Sequence, residues 1–121
     1  KNTNRRQEKD QHGEGCNVAE QSCIEEIIRK YPVVMFSLAW CPECKRTLEL
    51  LHSIGAKKPH IVDLDDYGKE ISLQIRHHML TLNGRQSVPN LYIDGEFFGG
   101  YQQTRRMHEE GTLLQKLQQV G

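Results

Sequence analysis

The segment "SLAWCPECKR", residues 37–46, contains two cysteines, Cys41 and Cys44, with a proline and an acid between them. It overlaps the end of a short run of mostly apolar residues, "VVMFSLA", at 33–39. The Cys-x-x-Cys spacing is used by redox-active dithiols and by half of a zinc site, and it also arises by chance. The rest of the sequence must decide between a redox pair, a metal site and two unrelated cysteines.

The composition limits the classes of function that the chain can serve. Its 121 residues suit one domain, and its 16 basic residues balance 16 acidic ones, so the formal charge is zero. A neutral chain has no overall attraction to nucleic acid or to an anionic membrane, and neither is expected as a partner. No apolar stretch approaches the roughly 20 residues that cross a bilayer, and no secretory h-region is visible near the start.

The first fifteen residues, "KNTNRRQEKDQHGEG", carry no aliphatic or aromatic side chain. Such a segment buries too little apolar surface to offset the entropy lost on ordering. Residues 1–15 are therefore predicted to be a disordered polar tail, and residues 16–121 a single domain. The chain begins with Lys1 rather than methionine, which leaves open an upstream targeting peptide. A cytoplasmic location is the expectation.

Helical and extended patterns alternate along the domain. Apolar residues at helical spacing predict helices, whereas short β-branched or aromatic runs predict strands. Pro42 suits the first turn of a helix, and Asp94-Gly95 suits the turn of a β-hairpin. The order α-β-α-β-α-β-β-α predicts an α/β fold with a four-stranded mixed sheet covered by helices. The predicted elements are helices at 18–31, 42–54, 69–82 and 102–120, the last broken at Gly111, and strands at 33–39, 60–65, 90–93 and 96–100.

Four motifs follow one another along the chain. They are "WCPEC" at 40–44, "SVPNLYIDG" at 87–95, "FFGG" at 97–100 and "EEGTLLQKL" at 109–117. Together they resemble the motifs of the glutaredoxins, a family with the thioredoxin-like fold. The chain is most similar to a divergent dithiol branch, seen in fungi, with Trp-Cys-Pro-acid-Cys in place of Tyr-Cys-Pro-Tyr-Cys. The resemblance implies a thiol–disulfide oxidoreductase and covers about residues 20–120.

The two cysteines of "WCPEC" differ in their expected chemistry. At the helix start, the Cys41 sulfur meets unpaired backbone N–H groups and the positive end of the helix dipole, which favour the thiolate. Glu43 opposes the thiolate, and Lys45 and Arg46 nearby partly offset that effect. Cys41 is the predicted nucleophile. Cys44, one turn deeper, is the predicted resolving thiol that attacks the mixed disulfide on Cys41.

Structural roles are the alternatives for the cysteines. Two structural cysteines in a reduced core would normally lack a position at a helix start. A structural zinc site needs four ligands, usually in two close pairs, and Cys16 and Cys23 are seven residues apart. No metal is therefore expected, and Cys16 and Cys23 are interpreted as incidental thiols.

The resemblance implies a substrate site around the dithiol. It places Pro89 where the fold has a cis-proline facing the cysteines, with the Val88 backbone pairing with an extended cysteinyl substrate. Without the resemblance, a trans turn proline is the better guess. Trp40 either shapes an apolar rim for substrate or covers the helix end. The implied substrate- and glutathione-binding residues are Trp40, Val88, Pro89, Gly99, Gly100, Tyr101 and Gln102.

Glutathione is the implied co-substrate, but its binding site is altered. Family members typically carry a lysine at the position of Leu38, often an arginine at that of Gln86, and a Ser/Cys-Asp pair at those of Tyr101 and Gln102. Gly100 still permits close backbone approach, and the helix start after it still offers N–H groups to a carboxylate. Each lost charge-assisted contact is worth about 1.5–3 kcal/mol, which predicts weakened glutathione use.

Three functions remain as hypotheses. We favour a monomeric dithiol oxidoreductase that reduces disulfide-containing or glutathionylated proteins, with glutathione or a thioredoxin reductase as the source of electrons. The second is an iron–sulfur carrier in which two chains and two glutathiones share a [2Fe-2S] cluster through Cys41. Pro42 and the altered glutathione site oppose it, and visible absorbance would reveal it. The third is a redox-inert binding module using the Pro89 surface, which thiol titration of the Cys41–Cys44 pair would distinguish.

Overall fold

A four-stranded mixed sheet lies at the centre of the fold, as the alternating sequence patterns predicted. The computed structural model describes residues 9–120 of the chain. β1 pairs in parallel with β2 and antiparallel with β3, and β3 pairs antiparallel with β4. The predicted α/β class is confirmed. In the spatial order β2-β1-β3-β4, the strands are β1 (Val33–Ser37), β2 (His60–Asp63), β3 (Asn90–Ile93) and β4 (Glu96–Gly99).

Helices cover both faces of the sheet at close to their predicted positions. A short 3-10 helix, Leu64–Tyr67, follows β2 and was not predicted. It forms because the Asp63 carboxylate accepts a hydrogen bond from the backbone N–H of Asp65, 3.1 Å away, and so caps the turn. Among residues 9–120 the α-helices are α1 (Gln21–Lys30), α2 (Pro42–Ser53), α3 (Gly68–Asn83), α4 (Tyr101–Glu109) and α5 (Thr112–Val120).

Two predicted changes of chain direction are confirmed. Asp94 and Gly95 both adopt positive φ, 54° and 79°, as the tight turn of the β3–β4 hairpin requires. Gly111, with φ of 87°, separates α4 from α5 at the predicted break. Glycine reaches this left-handed region without a steric penalty.

The sheet separates two hydrophobic clusters, and β1 contributes to both. Val34 and Phe36 belong to the cluster formed with α1 and α3, whereas Val33 and Met35 belong to the cluster formed with α2 and α5. Every residue of β1 is buried. A central strand buried on both faces is held rigidly, so its carboxyl end is a fixed position on which a site can be built.

The interpretation of Cys16 and Cys23 as incidental thiols is wrong. The two sulfurs form a disulfide, with the Cα atoms 5.6 Å apart. Cys23 lies in the first turns of α1 and is buried, whereas Cys16 is half-buried in the segment before the helix. The bond therefore ties the chain preceding α1 to the helix itself.

Part of the segment predicted to be a disordered tail has a defined structure. Residues 1–8 lie outside the described part of the chain, but residues 9–15 form turns that contact the domain. The Glu14 carboxylate lies 2.9 Å from Nε2 of His60 and accepts a hydrogen bond of 3.4 Å from the Tyr67 hydroxyl. The Glu14 side chain is only 6% exposed. A segment without apolar side chains is held here by polar contacts.

Replacing Glu14 with alanine should lower the free energy of unfolding by about 1–3 kcal/mol, because His60 and Tyr67 lose a partly buried hydrogen-bond partner. Urea denaturation measures the difference. Glu49→Ala is the matched control, since Glu49 is exposed on α2 and its loss should cost less than about 0.5 kcal/mol. Equal stabilities of the two variants would show that residues 9–15 do not stabilise the domain.

Candidate active site

The predicted site residues come together at one edge of the sheet. Cys41 follows the carboxyl end of β1, and Pro89 precedes β3, which runs antiparallel to β1 with Phe36 opposite Asn90. β4 returns antiparallel to β3, with Gly99 opposite Leu91, so Gly99 ends at the same edge. The topology therefore juxtaposes three segments that are far apart in sequence.

Cys41 is the N-cap of α2, as predicted. Its backbone is extended, with φ of −81° and ψ of 117°, and Pro42 occupies the first helical turn. The backbone N–H of Cys44 donates to the Cys41 sulfur at 3.2 Å. Cys41 as a residue is half-buried. A sulfur that accepts an N–H bond at the positive end of a helix is better stabilised when it carries negative charge.

Cys44 lies in a different environment one turn along α2. It is only 2% exposed and packs in the cluster formed with α2 and α5. Burial, followed by its hydrogen bond with Cys41, raises the pKa of the Cys44 thiol to about 11, although a hydrogen bond with Ser37 works in the opposite direction. Cys44 therefore keeps its proton at neutral pH, which is the resting state expected of a resolving thiol.

Two residues that precede Cys41 have opposite exposures to solvent. Trp40 is 71% exposed, so it forms a rim beside Cys41 and does not cover the helix end as core. Leu38 is 5% exposed and packs in the cluster formed with α1 and α3. The position where relatives often carry a lysine thus contributes to the hydrophobic core of this chain.

The bond between Val88 and Pro89 is cis, which confirms the isomer that the resemblance implied. Pro89 is buried, and Val88 is half-buried. Val88 and Cys41 each pack against both hydrophobic clusters, which lie on opposite faces of the sheet. The segment preceding β3 and the start of α2 thus share this edge of the sheet.

The segment from Gly99 to Gln102 turns the chain from β4 into α4. Gly99 has φ of 77°, a conformation that favours glycine, and Gly100 is the extended N-cap of α4. Tyr101 is half-buried and Gln102 is exposed in the first turn, which contains no acidic residue. The helix start thus offers backbone N–H groups without the carboxylate found in typical relatives.

Sequence reasoning missed Arg85 at this edge. Its guanidinium lies against Gly100, in the space that a Cβ atom on Gly100 would need. Its Nε donates to the carbonyl oxygen of Pro89 at 3.3 Å. Because position 86 is a glutamine, the sequence suggested that no cation lies at this edge. Arg85, one residue earlier in the chain, reaches the edge instead, and its side-chain position is visible only in the folded structure.

A cavity of about 300 Å³ opens beside the dithiol. It lies between α2 and the carboxyl ends of β1 and β2. Both cysteines line it, with Ser37, Leu38, Ala39, Lys45, Leu48, Lys58, Ile61 and Asp63. A larger groove of about 380 Å³ lies at the opposite end of β1, against α5, and contains no cysteine. We assign the smaller cavity to the candidate active site because both cysteines line it.

Within the part of the chain that the structure describes, no helix is both long and apolar enough to cross a membrane. The His, Cys, Asp and Glu side chains of that part form no group of three placed to hold a metal ion.

Known proteins match this chain over most of the domain. Residues 33–98 match the family model described as Glutaredoxin. Glutaredoxin-C2 of Arabidopsis thaliana is 36% identical over 98 residues, covering 80% of this chain and 85% of the relative. Glutaredoxin-1 of Sus scrofa is 32% identical over 101 residues, covering 84% and 95%. The crystal structure of a buckwheat glutaredoxin–glutathione complex matches with a TM-score of 0.77 at 27% identity, covering 84% of this chain and 89% of that chain.

Proposed function

The chain belongs to the glutaredoxin family of thiol–disulfide oxidoreductases, and we propose that its redox-active group is the Cys41–Cys44 dithiol. The observation that carries the proposal is the asymmetry of the pair. Cys41 caps α2 at the open edge of the sheet, whereas Cys44 is buried and stays protonated at neutral pH. The assignment to a branch with Trp-Cys-Pro-acid-Cys stays a prediction.

The proposed reaction has two steps. The Cys41 thiolate attacks a substrate disulfide, which releases one substrate thiol and leaves a mixed disulfide on Cys41. Cys44 then attacks the Cys41 sulfur, which releases the second substrate thiol and closes the Cys41–Cys44 disulfide. The substrate gains two electrons and the dithiol loses two. Trp40, exposed beside Cys41, offers an apolar rim for a protein substrate.

Glutathione is proposed as a co-substrate that this chain binds weakly. The resemblance to the glutaredoxins implies that the tripeptide would lie along Val88–Pro89 and the start of α4. Gln102 offers no carboxylate to its amino group, and buried Leu38 offers no ammonium to its carboxylates. Arg85, against Gly100, is the cation that supports some binding. Backbone groups and Arg85 would then carry most of the recognition.

The source of electrons that regenerates the dithiol stays a prediction, with glutathione and a thioredoxin reductase as the two candidates. Turnover of a glutathionylated protein with each reductant separates them. Faster recycling by the reductase would support weak glutathione use. A rate with glutathione equal to that of an ordinary dithiol glutaredoxin would contradict it.

Replacing Gln102 with aspartate should raise the glutathione-dependent rate by about two- to tenfold. A charge-assisted contact is worth about 1.5–3 kcal/mol when shielded, and the exposure of Gln102 reduces that value. Gln115→Asp makes the same charge change on an exposed position of α5 and should leave the rate unchanged. Initial rates at several glutathione concentrations would show the gain as a lower KM. Leu38→Lys is not added as a companion change, because it would place an ammonium in the core.

No gain in the Gln102→Asp variant, or the same gain in Gln115→Asp, would show that the start of α4 does not contact the amino group of glutathione.

A further inference from the structure

The loop between α3 and β3 carries the Val88 backbone to the edge of the sheet where Cys41 lies. Residues 84–89 belong to no helix or strand. Among residues 9–120, the backbone-to-backbone hydrogen bonds of turns and loops include none that residues 85–89 make. Side chains must therefore hold this loop, because backbone groups shielded from water need hydrogen-bond partners.

The amide of Asn90, the first residue of β3, is the main support of the loop. Its Nδ2 donates to the carbonyl oxygen of Arg85 at 2.9 Å and to that of Ser87 at 3.3 Å. Asn90 is fully buried, with 0% of its surface exposed, so bulk water does not compete for these bonds. One side chain thus fixes two points of the loop on the protein interior.

Asn83, at the end of α3, sets the orientation of the Asn90 amide. Its Oδ1 accepts the backbone N–H of Arg85 at 2.8 Å. Its Nδ2 therefore faces β3 and donates to Oδ1 of Asn90 at 3.1 Å. With that oxygen occupied, the two N–H groups of Asn90 can only point at the loop carbonyls. A buried amide that is paired at both ends has one orientation.

Val88 is the exception in this loop. Each of the other four residues of 85–89 has a carbonyl oxygen that accepts a side-chain hydrogen bond. The donors are Asn90 to Arg85 and Ser87, Arg76 to Gln86, and Arg85 to Pro89. Within the described residues, the Val88 carbonyl has no donor. The network thus leaves open the one carbonyl that the resemblance to the glutaredoxins assigns to the substrate.

We propose that Asn90 is a positioning residue that holds this loop so that the Val88 backbone is ready to pair with an extended peptide beside the reacting disulfide. The proposal rests on the proposed function of the dithiol and names its preferred substrate class. An extended peptide donates a backbone N–H to the Val88 carbonyl, as in strand addition. A loop that is fixed beforehand does not have to be ordered on binding. Peptide disulfides therefore gain from Asn90, whereas small disulfides without a backbone do not.

Asn90→Asp tests this role, because aspartate has nearly the same size but replaces the two N–H donors with an acceptor. Two substrates are compared: a short cysteine-containing peptide in mixed disulfide with 2-mercaptoethanol, and bis(2-hydroxyethyl) disulfide. The chain with Cys41 and Cys44 reduced is mixed with each at several concentrations and quenched in acid. The first attack then yields a half-saturating concentration and a maximal rate.

The half-saturating concentration of the peptide disulfide should rise about 10- to 100-fold in Asn90→Asp, with the maximal rate changed less than about twofold. The rate with bis(2-hydroxyethyl) disulfide and the alkylation of Cys41 at pH 7 should also change less than about twofold. Glu14→Ala is the control for lost stability. It removes another buried hydrogen-bond partner, beside His60 and far from the loop, and should leave the preference for the peptide unchanged.

Equal losses with the two disulfides would show that Asn90 only stabilises the fold, and no loss with the peptide would also overturn the proposal. Should Asn90→Asp fail to fold, Asn83→Ala decides, because half-buried Asn83 orients the Asn90 amide. An unchanged preference for the peptide in that variant contradicts the proposal. Failure of the proposed function gives a different result, since the wild type would then reduce neither disulfide.

Discussion

Replacing Cys41 with serine should lower the rate of disulfide reduction by at least about a thousandfold. A serine hydroxyl is a far weaker nucleophile than a thiolate at neutral pH, and nothing beside position 41 in this site is placed to activate it. Cys44, buried and protonated, cannot take over the first attack. The rate with a glutathionylated peptide measures the loss.

The same substitution should leave the fold intact, which makes the loss of activity interpretable. Serine is a favoured N-cap residue, so the start of α2 keeps a side chain that accepts a backbone N–H. Thermal unfolding of the variant should match that of the wild type within a few degrees. A folded Cys41→Ser variant with more than a few per cent of the wild-type rate would contradict the assignment of the nucleophile.

Replacing Cys44 with serine should instead trap the first intermediate. The variant keeps the Cys41 attack but lacks the thiol that releases the second half of the substrate. Reduction of protein disulfides should fall by at least about a hundredfold, and close to one substrate chain per protein should stay bound through Cys41. Intact mass spectrometry, with and without a reducing agent, measures the adduct.

Alkylation at pH 7 provides an independent check on these two roles. With a pKa of about 11, Cys44 should be labelled far more slowly than Cys41. Labelling of Cys44 first, or the absence of an adduct in Cys44→Ser, would show that the roles of the two cysteines have been exchanged.

The order of elements and the position of Cys41 at the start of α2 could be predicted because their signals are local. The apolar run of β1, Pro42 in the first turn of α2 and the Asp94-Gly95 turn are each encoded by a few adjacent residues. The cis bond at Pro89 was different. It could be predicted only from the resemblance to the glutaredoxins, since the residues around a proline do not fix its isomer.

The features that escaped prediction depend on how the backbone folds between the residues concerned. Cys16 and Cys23 pair because the turns before α1 bring the two Cα atoms to 5.6 Å, a distance that their sequence spacing does not imply. Glu14 is ordered by His60 and Tyr67, which lie beyond β1 and α2 in the chain. Arg85 reaches Gly100 only after β3 and β4 have formed. Polar and charged side chains give no periodic signal, so their partners become visible only in the folded structure.

The most direct test of the central claim is to locate the disulfide that forms in one turnover. The chain with Cys41 and Cys44 reduced is mixed with one equivalent of a peptide disulfide, quenched in acid, alkylated and mapped by mass spectrometry of its peptides. We predict a new bond between Cys41 and Cys44, two thiols on the peptide, and an unchanged bond between Cys16 and Cys23. Reduction of the peptide with Cys41 and Cys44 both recovered as alkylated thiols would contradict the account.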